Sequence, residues 1–126
     1  VYGLDVNYNK LDTCRNLAQS EGIRPDELYL IHGDAEAMPF SDGQLDHVMW
    51  SMVMHLLPDI SPALREIFRV LKPGGGRLYA TGYVQTLCIK DAADLERLVA
   101  DAGFGRISVS TANTGARYVL TAVREA

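Results

Sequence analysis

No apolar run in this 126-residue chain comes near the roughly 20 residues that a membrane-spanning helix requires, so no membrane partner is expected. Basic residues are in the minority, with 12 Lys and Arg against 16 Asp and Glu, and they form no stripe. That argues against nucleic acid as a partner while leaving a small nucleotide-like ligand open. Cysteine is scarce: Cys14 and Cys88 lie far apart, in no Cys-x-x-Cys or Cys/His spacing. Neither a disulfide framework nor a metal site is expected, and reduced thiols of a cytoplasmic protein are the default reading. No Gly-x-Gly pattern precedes Asp5, and no internal repeat or low-complexity segment occurs anywhere. What remains is ordinary for a soluble globular chain, 48% apolar and 22% charged residues. Residues 1–126 read as one domain, able to bury about two-thirds of its unfolded surface.

The elements alternate. Val1 to Leu4 reads as a strand ending at Asp5, and Asn7 or Asn9 suits the N-cap of a helix with Leu11, Cys14, Leu17 and Ala18 on its apolar face and Gly22 as its stop. Leu28 to His32 reads as a second, buried strand, ended by Gly33. After an acidic loop, Ser41-Asp42-Gly43 is turn chemistry and Leu45 to Met52 a third strand. Ser61-Pro62 starts a helix striped by Leu64, Ile67, Phe68 and Leu71, and Lys72-Pro73-Gly74-Gly75-Gly76 stops it. Arg77 to Thr81 is a fourth strand, and Asp91 caps a helix carrying Leu95, Leu98, Val99 and Ala102. Arg106 to Ala112 and Arg117 to Arg124 close the chain as a hairpin about Asn113-Thr114-Gly115. Alternation of this kind predicts an α/β fold, a mostly parallel sheet covered by helices and ending in an antiparallel hairpin.

The chemistry gathers at His32-Gly33-Asp34-Ala35-Glu36-Ala37-Met38-Pro39-Phe40, where a strand opens into an acidic loop. Open α/β sheets bind ligands beyond the carboxyl ends of their strands. The alternative is a solvated connecting loop, with Asp34 bonding its own backbone.

Three stretches together resemble the class I S-adenosylmethionine-dependent methyltransferases, which have a Rossmann-like three-layer sandwich. Tyr2-Gly3-Leu4-Asp5-Val6-Asn7 is similar to the family's second strand, and Gly33 to Phe40 to its Gly-Asp-Ala-Glu-x-Leu-Pro-Phe loop. Asp46 to Trp50, then His55 and Asp59, then Ala63 to Gly76 resemble the next strand, loop and helix. The resemblance implies S-adenosylmethionine as cofactor and methyl transfer to a small-molecule substrate. It implies that Asp5, with Val6 beside it, holds the ribose, that Asp34 and the Ala35 N–H read adenine, and that Trp50 and Ser51 stand beside the methionine part. His55 falls where related enzymes often carry a His facing the substrate, where it could take a proton. Against these stand plainer roles: Asp5 as a helix N-terminal carboxylate, Trp50 as core, His55 as a polar loop residue.

The family's first strand and its Gly-rich turn have no counterpart, and the chain starts at Val1 inside a strand, which reads as a missing beginning. That strand would lie between those at Val1 to Leu4 and Leu45 to Met52. An open slot would strand backbone groups at about 1 to 3 kcal/mol each if buried. The expectation is therefore that upstream residues supply the strand in the natural protein. For this chain alone, its neighbours would close up or a homodimer would form through the exposed slot, with cofactor binding and catalysis impaired. Two other functions remain open, a non-catalytic oligomeric remnant of the same fold and a nicotinamide-dinucleotide-binding domain.

Overall fold

The computed structural model describes residues 1–83, 89–112 and 117–126, the His55 side chain excepted. Cys88 and the expected hairpin turn Asn113-Thr114-Gly115 lie outside the described residues. The chain forms two compact units, residues 1–39 and 40–126.

In the first unit, strand β1 (Tyr2–Asp5) is followed by helix α1 (Tyr8–Ser20) and strand β2 (Tyr29–His32). The strands pair in parallel from Tyr2↔Tyr29 to Asp5↔His32. Asn7 caps α1, its side-chain oxygen accepting from the N–H groups of Asn9 and Lys10 at 2.9 and 3.2 Å. Gly22 follows in the left-handed region at φ 78°, where a glycine carries no steric cost. The expected apolar face is only half correct. Leu11 and Ala18 are buried, but Cys14 is exposed and Leu17 is 60% exposed. At about 100° per residue, Leu17 sits a quarter-turn round the helix from Ala18, beyond what a two-stranded ribbon covers. The second strand is also less buried than expected: Leu28, Leu30 and Ile31 are half-buried and Tyr29 is exposed.

The second unit holds β3 (His47–Ser51), a 3₁₀ turn (Met54–Leu56), α2 (Ser61–Val70), β4 (Gly76–Tyr83), α3 (Ala92–Asp101), β5 (Gly105–Ala112) and β6 (Arg117–Arg124). Its strand order is β3-β4-β6-β5, with β3 parallel to β4 and β6 antiparallel to both its neighbours. The expected parallel start and closing antiparallel strand pair are thus both present. Alternation places Trp50, Leu78, Ala80, Tyr118, Leu120 and Ala122 in the core. Ala63, Leu64, Ile67 and Val70 of α2 and Leu95 and Val99 of α3 are buried with them. Phe68, expected in that stripe, is half-buried and meets Phe104 edge-on with ring centres 5.2 Å apart. The opposite sheet face carries Met49, Tyr79 and Tyr83, all exposed.

Closure or a homodimer is the expectation at the slot; among the described residues β1 is paired with β2 and β3 with β4, in two sheets.

Candidate functional site

The residues expected to bind ligand fall in two sets, one on each unit. In residues 1–39, Asp5 is the last residue of β1, and Asp34 lies two residues past β2, its parallel neighbour. The chain continues the ladder for one step more, with the Gly33 N–H donating to the Asp5 carbonyl at 3.0 Å. A Cβ at Gly33 would lie 2.8 Å from Leu4 Cδ1, so a side chain there would need the Leu4 side chain to shift.

Each aspartate is fixed by one oxygen. Asp5 Oδ1 accepts from the Asn7 N–H and Asp34 Oδ1 from the Glu36 N–H, both at 2.8 Å. The Asp34 carbonyl accepts from the Ala37 N–H at 3.0 Å. The plainer role foreseen for Asp34, bonding its own backbone, is therefore real, but it engages one carboxylate oxygen and leaves the second. The turn uses the N–H groups of Glu36 and Ala37, not that of Ala35. Val6 is exposed at the strand end, and its carbonyl lies 2.9 Å from His32 Nε2. The His32 ring in turn packs against Tyr8, with ring centres 4.3 Å apart. Two fixed carboxylates at one end of a parallel ribbon can accept from hydroxyl or amine donors of a ligand.

A groove of about 300 Å³ in the same unit is lined by Ala18, Ile23, Pro25, Leu28 and Leu30 among others. It lies beside the amino end of β2 and includes neither Asp5 nor Asp34.

In residues 40–126, Trp50 is 7% exposed and belongs to the core. Ser51 ends β3, its Oγ 2.9 Å from Thr81 Oγ1 on the parallel partner strand. Met52 follows at φ 58°, a strained conformation for a residue with a side chain, held by its N–H donating to the Thr81 carbonyl at 2.8 Å. His55 lies in the 3₁₀ turn, and its expected role as a base falls on a side chain outside the described residues. Asp59 accepts from the Ser61 N–H at 2.9 Å and so serves the start of α2. The Ser51–Thr81 contact was not legible in the sequence, because the two residues are 30 apart and only the strand register joins them.

Charges away from these strand ends are structural. Arg69 binds Glu66, Asp42 and the Phe40 carbonyl, and the two carboxylates hold its guanidinium more firmly protonated than usual. At the opposite end of β3, the hydrogen bond from Lys72 at 2.8 Å draws the Asp46 carboxyl below its ordinary range. Among the described residues no cluster of His, Cys, Asp or Glu could hold a metal ion, and no helix is long and apolar enough to cross a membrane.

Residues 1–79 match the methyltransferase domain family. The demethylmenaquinone methyltransferase of Anoxybacillus flavithermus is 36% identical over 75 residues, which cover 60% of this chain and 31% of that protein. The corresponding enzyme of Listeria welshimeri is 40% identical over the same shares. The chain therefore spans about a third of the length of the curated relatives it matches. A SAM dependent methyltransferase from Aquifex aeolicus superposes with a TM-score of 0.80 at 17% identity, over 98% of this chain and 68% of that one. The structural likeness establishes the Rossmann-like α/β fold, and the match over residues 1–79 places the chain in the methyltransferase domain family.

Proposed function

We propose that this protein transfers a methyl group from S-adenosylmethionine to a small molecule, and that residues 1–39 hold the adenosine of the cofactor. The observation that carries the reading is the pair of aspartates at adjacent parallel strand ends, each fixed through one oxygen by a neighbouring N–H at 2.8 Å. Asp5 would accept from the two ribose hydroxyls. Asp34 would accept from the adenine amine while the Ala35 N–H donates to the neighbouring ring nitrogen. Hydrogen bonds to a charged group contribute roughly 1.5 to 3 kcal/mol each, enough for either aspartate to matter measurably. When bound, S-adenosylmethionine supplies a methyl group already activated on a sulfonium, so that the S–CH3 bond breaks as the acceptor's electron pair forms the new one and the acceptor's proton passes to a base. This chain's contribution is then orientation and, at His55, a candidate for the base.

The acceptor is not carried over from the relatives. Their name specifies demethylmenaquinone, but the matched 75 residues are 31% of such a protein, and the adenosine-binding elements proposed here do not choose an acceptor. Calorimetric titration with S-adenosylhomocysteine tests the cofactor reading. Saturable binding, weakened at least about tenfold by Asp5→Ala or by Asp34→Ala, is expected from the loss of one charge-assisted hydrogen bond. Equal binding by both variants, or tighter binding of a nicotinamide dinucleotide, would contradict it.

A further inference from the structure

The carboxyl end of the sheet in residues 40–126 carries a polar cluster of which the cofactor reading uses only Ser51. Ser51 pairs with Thr81, and Tyr83, two residues along the same face of β4, pairs with Arg117. The intervening Gly82 and the Arg117 neighbour Tyr118 are buried, so Ser51, Thr81, Tyr83 and Arg117 share the open face of the sheet. The Arg117 guanidinium lies over the Tyr83 ring, 5.7 Å from its centre. Among the described residues no carboxylate pairs with it, nor with Arg65, Arg77 or Arg124, whereas Arg15, Arg24, Arg69, Arg97 and Arg106 each have one. The two hydroxyls share one hydrogen across 2.9 Å, which leaves the other hydrogen to donate. Val119, the half-buried register partner of Thr81, gives the cluster an apolar floor.

We infer that Ser51, Thr81, Tyr83 and Arg117 bind a small planar carboxylate, and that this is the class of the methyl acceptor. A guanidinium presents parallel N–H donors that match a carboxylate bidentately. The cluster has one cation, which suits a monoanion and not a phosphate dianion. From Ser51 to Arg117 it spans three strands and two residues along them, about 12 Å between backbones, which the side chains shorten to the reach of one aromatic ring with a polar group at each end. The strained Met52 backbone ends β3 just after the Ser51 hydroxyl, and strain of this kind collects at ligand sites. The role as acceptor site rests on the methyl-transfer reading above, but the binding does not.

The test is an NMR titration of the whole chain with benzoate, and with benzamide as its neutral isostere. Benzoate should shift the amides of Ser51, Thr81, Tyr83 and Arg117 saturably, and benzamide should bind at least about tenfold more weakly. Arg117→Gln should weaken benzoate by a similar factor while its binding of S-adenosylhomocysteine stays unchanged. If Arg117→Gln loses its folded spectrum, Arg117→Lys replaces it, keeping the charge without the planar fork: weaker benzoate binding supports the inference and equal binding overturns it. The inference is also overturned if benzoate leaves these amides unmoved, binds no better than benzamide, or ignores Arg117→Gln. The cofactor reading fails separately, if S-adenosylhomocysteine leaves Asp5 and Asp34 unmoved while benzoate binds.

Discussion

Asp94 is one residue with two duties. Its carboxylate accepts from Arg97 and from the Lys90 N–H, at 2.6 and 3.1 Å, while its own N–H donates to the capping Asp91. The bond from Arg97 and then that from Lys90 hold its carboxyl below the ordinary range. A carboxyl lowered by folding contributes stability that is fully present above its unfolded value, about 3.9, and is lost as pH falls through the lower folded value. Wild type should therefore lose more stability than Asp94→Asn on acidification below about pH 4, with the difference between them constant from about pH 6 to 8. Urea denaturation of both proteins across that range measures it, and parallel curves would contradict the assignment. The cap itself was readable from sequence, since Asp before an apolar-periodic run has an obvious local use for its carboxylate. The Ser51–Thr81 pair was not, because its meaning lies in a partner on another strand.

The end of α2 shows the same division between elements. Pro62 at its start and the Lys72-Pro73-Gly74 stop are local signals, and the helix forms between them as expected. Its last turn, however, is satisfied from the far end of the chain. Arg124 Nη1 donates to the carbonyls of Phe68, Arg69 and Leu71 at 2.8, 3.0 and 2.9 Å, and its guanidinium lies 4.5 Å from the centre of the Phe68 ring. A cation at a helix C-terminus also meets the negative end of the dipole. Phe68 is accordingly half-buried under an arginine instead of sitting wholly in the core, which periodicity alone could not reveal. Arg124→Leu should cost about 2 to 4 kcal/mol, since it leaves part-buried carbonyls without their charged donor. Chemical denaturation reads the change. A loss under about 0.5 kcal/mol, the usual range for a surface substitution, would show that water replaces the guanidinium at no cost.

At the scale of the whole molecule, periodicity and turn chemistry placed the strand and helix sequence, and the methyltransferase family match begins at the first residue. Burial was harder to read in residues 1–39. Leu17, Tyr29 and Ile23 are apolar yet exposed, since one helix and two strands offer few surfaces to bury them. In residues 40–126, with four strands and two helices, most expected core residues are buried. The candidate cofactor residues could be proposed from sequence because Asp5 ends one strand and Asp34 lies two residues past the next, whereas Arg117 enters its cluster only through the antiparallel register with Tyr83. The central claim, that the strand ends at Asp5 and Asp34 receive adenosine, is most directly tested by mapping amide shifts on titration with S-adenosylhomocysteine. NMR mapping detects even millimolar affinity, so weak binding would still be seen. Shifts concentrated at Asp5 to Asn7 and Asp34 to Ala37 are predicted. Shifts confined to the groove beside Ile23 and Leu28, or none at saturating ligand, would contradict it.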